Sequence, residues 1–131
     1  MTKLSSVDSQ LLELTHQLLS AIGAKDWDRY VELCDPSLTC FEPEARGHLV
    51  SGLDFHKYYF ALPGGGGSRN TTLSAPHVRP IGNDAAVVSY VRLVQFQDAG
   101  GQPQTAQFEE TRVWQKVDGK WKHVHFHRSE N

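Results

Sequence analysis

The C-terminal stretch WKHVHFHRSEN, Trp121 to Asn131, sets His123, His125 and His127 at alternate positions with Arg128 directly behind them. Alternation on an extended strand aims three imidazoles the same way, and three such groups hold zinc in some hydrolytic sites. Along one strand, however, the rings stand roughly 6.6 Å apart, twice the rise per residue, and a tight site usually draws a ligand from elsewhere. The row therefore reads as an outward contact surface that begins at Trp121, and no metal is assigned to it. A second set of residues points to different chemistry. Arg92 lies in SYVRLVQFQ among Ala86, Val88, Tyr90, Val94 and Phe96, which share its face at even positions. Arg112 lies likewise with Ala106, Phe108, Glu110 and Trp114, and Arg128 with Val124 and Phe126. Arginine cannot shed its charge, so guanidiniums on an apolar face must be compensated. One reading is internal ion pairing with Glu110 and with Glu42, Glu44 or Asp54. The other adds a gap in which bidentate hydrogen bonds hold a small carboxylate, with His56 as one wall and Tyr90 beside it.

The faces align only if the turn at Asp118-Gly119 has the right length. A two-residue loop sets Arg112 beside His125 and sends Arg128 outward. A three-residue loop sets Arg112 beside Val124 and Phe108 beside Arg128. A slip of one residue flips every side chain. The three-residue loop is preferred, because it joins Val124 and Phe126 to Phe108 and Trp114. It leaves Val113, Val117, Trp121, His123, His125 and His127 facing outward, where a second subunit can pack.

Helices and turns must carry these strands. Residues 6–23 read as a helix with Leu11, Leu14 or Thr15, Leu18 and Ile22 at helical spacing, Ser5 or Ser6 as cap and Gly23 as a left-handed stop. Asp26 caps a second helix, WDRYVELC, which the Asp35-Pro36 pair ends. SLTCF reads as a short strand and EPEARGHLV as a connection. GLDFHKYYF forms a third helix with Leu53, His56, Tyr59 and Phe60 along one side. LPGGGGSRN reads as a mobile loop, since four glycines bury nothing. From Asn70 the period is two, and four strands with short turns between them predict an antiparallel meander. The class is α+β, with the N-terminal helices covering one face of a curved sheet.

The 131 residues suffice for one domain spanning 1–131, with 39% apolar and 21% charged residues and a formal charge of -2. No basic run draws nucleic acid, and the polar N-terminus is neither signal peptide nor membrane span. Two cysteines, Cys34 and Cys40, read as reduced thiols, which predicts an intracellular, cytoplasmic protein without a cofactor.

Three strings, CDPSLTCFEPEARGHLVSGLDFHKYYF, SYVRLVQFQDAGGQPQTAQFEETRVW and DGKWKHVHFHRS, closely resemble the association, or hub, domain of calcium/calmodulin-dependent protein kinase II. The resemblance runs from Leu11 to Ser129 and implies a cone of the nuclear transport factor 2-like kind. It further implies homo-oligomerisation into two stacked rings, dodecamers or tetradecamers, that organise kinase domains. A cationic pocket is implied too, with arginines matching Arg92, Arg112 and Arg128 and a helix histidine matching His56, open to small carboxylates or a kinase regulatory segment. Two departures stand out. No kinase motif occurs, so no enzyme activity is expected. The loop after the third helix lacks the tryptophan of the best-known ligand-binding form, which predicts weak binding of carboxylates that need that ring. The alternatives are a small-molecule enzyme of the isomerase, dehydratase or cyclase kind, using His56 or Glu110, and an anion sensor whose ligand shifts ring stability.

Overall fold

In the computed structural model, residues 6–63 and 69–130 are described. Helix α1, Ser6–Ala24, buries Leu11, Thr15, Leu18, Leu19 and Ala21. Thr15 takes the stripe position in preference to Leu14, because its hydroxyl donates to the Leu11 carbonyl at 2.8 Å and so stays satisfied inside. The helix passes through Gly23, and the left-handed residue that ends it is Lys25, at φ 55°. Of the two candidate caps, Ser5 lies outside the described residues and Ser6 is already helical. Asp26 does cap α2, Trp27–Leu33, its carboxylate accepting from the Arg29 N–H. Strand β1, Cys34–Phe41, follows at once. The connection read as irregular holds a short 3-10 turn, Pro43–Ala45, and a two-residue strand β2, Val50–Ser51. Helix α3, Asp54–Ala61, buries His56. The glycines at 64–67 of the expected loop lie outside the described residues.

Strands β3 Asn70–Ile81, β4 Ala85–Gln97, β5 Pro103–Val117 and β6 Lys120–Glu130 form the expected meander. The sheet order is β2-β1-β6-β5-β4-β3, and β1 joins it parallel to β6. Helices lie against its even-numbered face, where Leu11, Leu18, Tyr30, Leu38, Cys40, Val88, Trp114 and Phe126 form one core. The α+β class and helix-covered curved sheet are as expected.

The β5–β6 register corrects the expected one. Val117 pairs with Lys120, so the loop is two residues, Asp118 at φ 51° and Gly119 at φ 78°. Two consecutive positive φ values make the primed turn whose twist suits a hairpin. Pairing then shifts between Val113↔His125 and Trp114↔His123, which leaves Val124 as an extra residue in a bulge. Arg112 therefore faces Phe126 instead of Val124, and Arg128 faces Glu110 instead of Phe108. The bulge restores the inward direction of Phe126 and Arg128. It also divides the histidine row. His123 is wholly buried and Trp121 is 9% exposed, both on the core side, so neither belongs to an outer contact face. Trp121 and His123 are buried because the two-residue turn sets them opposite Lys116 and Trp114, on the helix-facing side. Val113, Val117, His125 and His127 remain on the outer side, with His125 bonded to the Thr39 hydroxyl at 2.7 Å and both imidazoles near the exposed Phe41.

Candidate functional site

Register alone places the charged cluster. Tyr90, Glu110 and Arg128 are paired across β4, β5 and β6 at one level of the sheet. One step away Arg92 faces Phe108, and on the other side Val88, Arg112 and Phe126 form the next row. Cross-strand and diagonal neighbours touch in such an array, which is why the carboxylate of Glu110 meets two arginines. Arg112 Nη2 donates to Glu110 Oε1 at 3.0 Å and Arg112 Nε to the Tyr90 hydroxyl at 2.8 Å. Tyr90 donates in turn to Glu110 Oε1 at 2.6 Å, and Arg92 Nη1 lies 3.4 Å from Glu110 Oε2.

Aromatic rings supply the rest of the compensation. Arg112 stacks over Phe126 at 4.6 Å from the ring centroid. Phe108 takes two guanidiniums, Arg92 at 4.9 Å and Arg128 at 5.3 Å. Weakly hydrated guanidinium planes suit such faces. Arg128 Nη2 hydrogen-bonds both carboxylate oxygens of Glu44 and lies 3.9 Å from Glu42 Oε2.

These groups line a cleft of about 390 Å³ whose wall includes Tyr30, Phe60 and Phe126. Its charged lining is Arg69, Arg92, Arg112 and Arg128 against Glu42, Glu44 and Glu110. With His56 neutral, one net positive charge remains. All the anticipated pocket residues, Arg92, Arg112, Arg128, His56, Glu110 and Tyr90, are thus gathered on one side of the sheet, and all but Tyr90 line the cleft itself. They are not equivalent. Arg112 is 2% exposed and held by Tyr90, Glu110 and His123 Nε2 at 3.4 Å, so it organises the site from below. Arg92 and Arg128 keep 14% and 16% of their side-chain surface and reach the cleft. Arg92 Nε is buried and has no hydrogen-bond partner among the described residues. Asp54, weighed as a partner, begins α3 and takes no part.

Two contributors carried no periodic signal. Arg69 stands at the end of the glycine-rich connection, near Phe96 at 5.7 Å from its ring centroid. Glu44 sits in the 3-10 turn, exposed.

The electrostatics favour holding charge over moving protons. Burial would raise the Glu110 pKa, but Arg112 and Arg92 outweigh it and keep the carboxyl below its ordinary value. Burial lowers the Arg92 pKa against the pull of Glu110. Glu44 is likewise held below its ordinary value, because the Arg128 hydrogen bond overcomes desolvation. Burial pushes the Cys34 and Cys40 thiols up to about 12, far from a nucleophilic thiolate.

The chain matches the family model described as the calcium/calmodulin dependent protein kinase II association domain over residues 8–131. The delta subunit of calcium/calmodulin-dependent protein kinase type II from Oryctolagus cuniculus is 50% identical over 122 residues, 92% of this chain and 23% of that relative. The chain therefore spans less than a quarter of that relative's length. The hub homology domain of the kinase from Chlamydomonas reinhardtii is 52% identical with a TM-score of 0.91, over 96% of this chain and 99% of that one. A nuclear transport factor 2-like protein from Cytophaga hutchinsonii, 22% identical over 98% of this chain and 100% of its own, shares the fold at a TM-score of 0.75.

Proposed function

We infer the function from family and site together: this chain belongs to the calcium/calmodulin-dependent protein kinase II association-domain family, and we propose that it is a self-assembling scaffold. In this reading copies close into a two-tiered ring of dodecamer or tetradecamer size. The ring raises the local concentration of what is tethered to it, a kinase domain or another module. The likeness to a hub domain across almost the whole chain carries the proposal. The outer sheet face supports it, because Val87, Val91, Leu93 and Val113 leave a half-buried apolar strip beside His125, His127 and Phe41. A ring needs a heterologous contact within a tier and an isologous one between tiers, and this strip with Val117 is a candidate for one of them. A cytoplasmic location accompanies this reading, and no described helix is long and apolar enough to cross a membrane.

Light scattering coupled to gel filtration tests the assembly. The expected mass is twelve to fourteen times the 14.7 kDa of one chain. A monomer or simple dimer at micromolar concentration refutes it.

The cleft is the scaffold's ligand site, taking a small carboxylate or the acidic part of a peptide between Arg92 and Arg128. Malonate is expected to raise the melting temperature by mass action on the folded state. Arg92→Met and Arg128→Met are expected to remove that rise without dissolving the assembly. An equal rise in both variants places the anion elsewhere. The enzyme alternative gains nothing from the geometry, since Glu110, ionised between two arginines and a tyrosine, is the opposite of a poised base.

A further inference from the structure

A second group of side chains meets at the edge of the cleft, apart from the arginine cluster. Cys40 and Glu42 are two apart on extended backbone, which turns both to the same side, and α3 lowers His56 onto them. Cys40 Sγ lies 3.6 Å from His56 Nε2, and Glu42 Oε1 lies 2.8 Å from that same nitrogen. In a nucleophile relay, acid and nucleophile engage opposite ring nitrogens. Here both engage Nε2, while Nδ1 is buried without a hydrogen-bond partner among the described residues. The arrangement is therefore no relay. It is a convergence of a sulfur, a nitrogen and an oxygen, all within 4.8 Å of one another.

Convergence on one point is what coordination requires. A tetrahedral ion with Zn–S of about 2.3 Å and Zn–N of about 2.0–2.1 Å separates sulfur from nitrogen by about 3.6 Å and nitrogen from oxygen by about 3.4 Å. The first separation is already present, and the second needs Glu42 to draw back by about 0.6 Å. We propose that Cys40 Sγ, His56 Nε2 and Glu42 bind a thiophilic divalent ion, zinc by preference, with the fourth position open to the arginine-lined cleft.

The charges balance. Cys40 releases its proton to solvent, and the thiolate with the Glu42 carboxylate neutralises the dication. The proton on Nε2 is replaced by one on Nδ1, so one proton leaves per ion bound. A sulfur–imidazole pair selects zinc over magnesium or calcium. Arg128 Nη2, 3.9 Å from Glu42 Oε2, steadies the oxygen turned away from the histidine, as groups behind a ligating carboxylate do. Glu42 and His56 both line the cleft, so a water or a carboxylate that enters it completes the coordination. The other cysteine offers a built-in comparison. Cys34 Sγ lies 3.6 Å from His123 Nδ1, but Arg112 stands at the far nitrogen and no third donor among the described residues completes a group.

The proposal stands apart from the scaffold reading, and its readout does not depend on assembly. The purified, reduced chain is titrated with cobalt(II) and followed by absorption. A thiolate-to-cobalt charge-transfer band and strong visible bands of a tetrahedral ion are expected, saturating at one equivalent per chain and bleached by zinc. Cys34→Ala leaves Cys40 as the single thiol and is expected to keep the band. Cys40→Ala and His56→Gln are expected to weaken binding by more than about a hundredfold, beyond the 10–100-fold that supporting groups supply. Surface histidines such as His125 and His127 give no thiolate band. Absence of that band from the unvaried chain at saturating cobalt overturns the proposal, whether or not the variants fold. So does its survival in Cys40→Ala or its loss from a folded Cys34→Ala.

Discussion

Glu110→Gln isolates the group on which the buried charges depend. Its side chain is fully shielded and meets Arg112 at 3.0 Å, Arg92 at 3.4 Å and the Tyr90 hydroxyl at 2.6 Å. Glutamine preserves the volume and an acceptor oxygen but removes the charge. Arg112 then has only neutral partners, the glutamine oxygen, Tyr90 and His123, in a place where it cannot be hydrated. Breaking a buried pair from one side costs about 3–5 kcal/mol. For 131 residues, an unfolding entropy of about 2.1 cal/mol/K per residue makes 1 kcal/mol worth about 3–4 °C. The expected fall in melting temperature is therefore about 10–18 °C. Circular dichroism at fixed protein concentration measures it, since association itself shifts the midpoint. Glu110→Gln with Arg112→Met removes both charges and is expected to lose less than the two single losses combined. A pH series adds the sign. The folded pKa of Glu110 lies below its ordinary 4.5, so its contribution is complete above that value and drains away as pH falls through the folded one. The gap between parent and variant must then narrow in acid. A fall of less than about 3 °C at neutral pH would refute the reasoning, because the arginines would have to be compensated by something other than Glu110.

Other consequences are as direct. Burial and the charge of Arg112 hold the His123 pKa well below 6.5, so the unfolded chain takes up a proton that the folded one refuses. Stability should fall by up to about 1.4 kcal/mol per pH unit below that value, and His123→Gln should flatten this limb in urea titrations at successive pH; an unchanged slope counts against a buried neutral imidazole. Gly119→Ala, at φ 78°, should cost about 1–2 kcal/mol by urea denaturation, whereas Asp118→Gly at φ 51° should cost nothing. Glu44→Gln removes the carboxylate that already occupies Arg128. An exposed pair contributes up to about 1 kcal/mol, so malonate should bind roughly two- to fivefold more tightly by calorimetry, and weaker binding would make Glu44 part of the receptor instead of a competitor.

The residues that strand period could place were legible, and the hairpin explains where that stopped. Period two put Tyr90, Arg92, Glu110 and Arg112 on one face without ambiguity, because β4 and β5 run unbroken from Ala85 to Gln97 and from Pro103 to Val117. In β6 one extra residue was needed to turn Arg128 inward. It could sit in the loop or in the strand, and either place gives the same parity from His125 onward. Parity decides facing, so Arg128 points inward with either loop length that keeps this parity. Partners depend on the absolute register, which differs by two residues between the versions, so Glu110 and not Phe108 stands beside Arg128. Between the turn and the bulge even parity fails, and there Trp121 and His123 face the core although their odd positions predict the outer side. Nothing in KWKHV marks Val124 as the odd residue. What selects it is tertiary: Trp121 closes the core, while His123 stacks on Phe126 at 5.6 Å and approaches Cys34. The same limit explains Arg69, Glu44 and the parallel seat of β1, which loop paths set and no local period records. The metal-binding proposal follows from that seat. Beside β6, β1 and the residue that follows it present Cys40 and Glu42 to a histidine that α3 carries, a meeting that depends on three elements and on no motif.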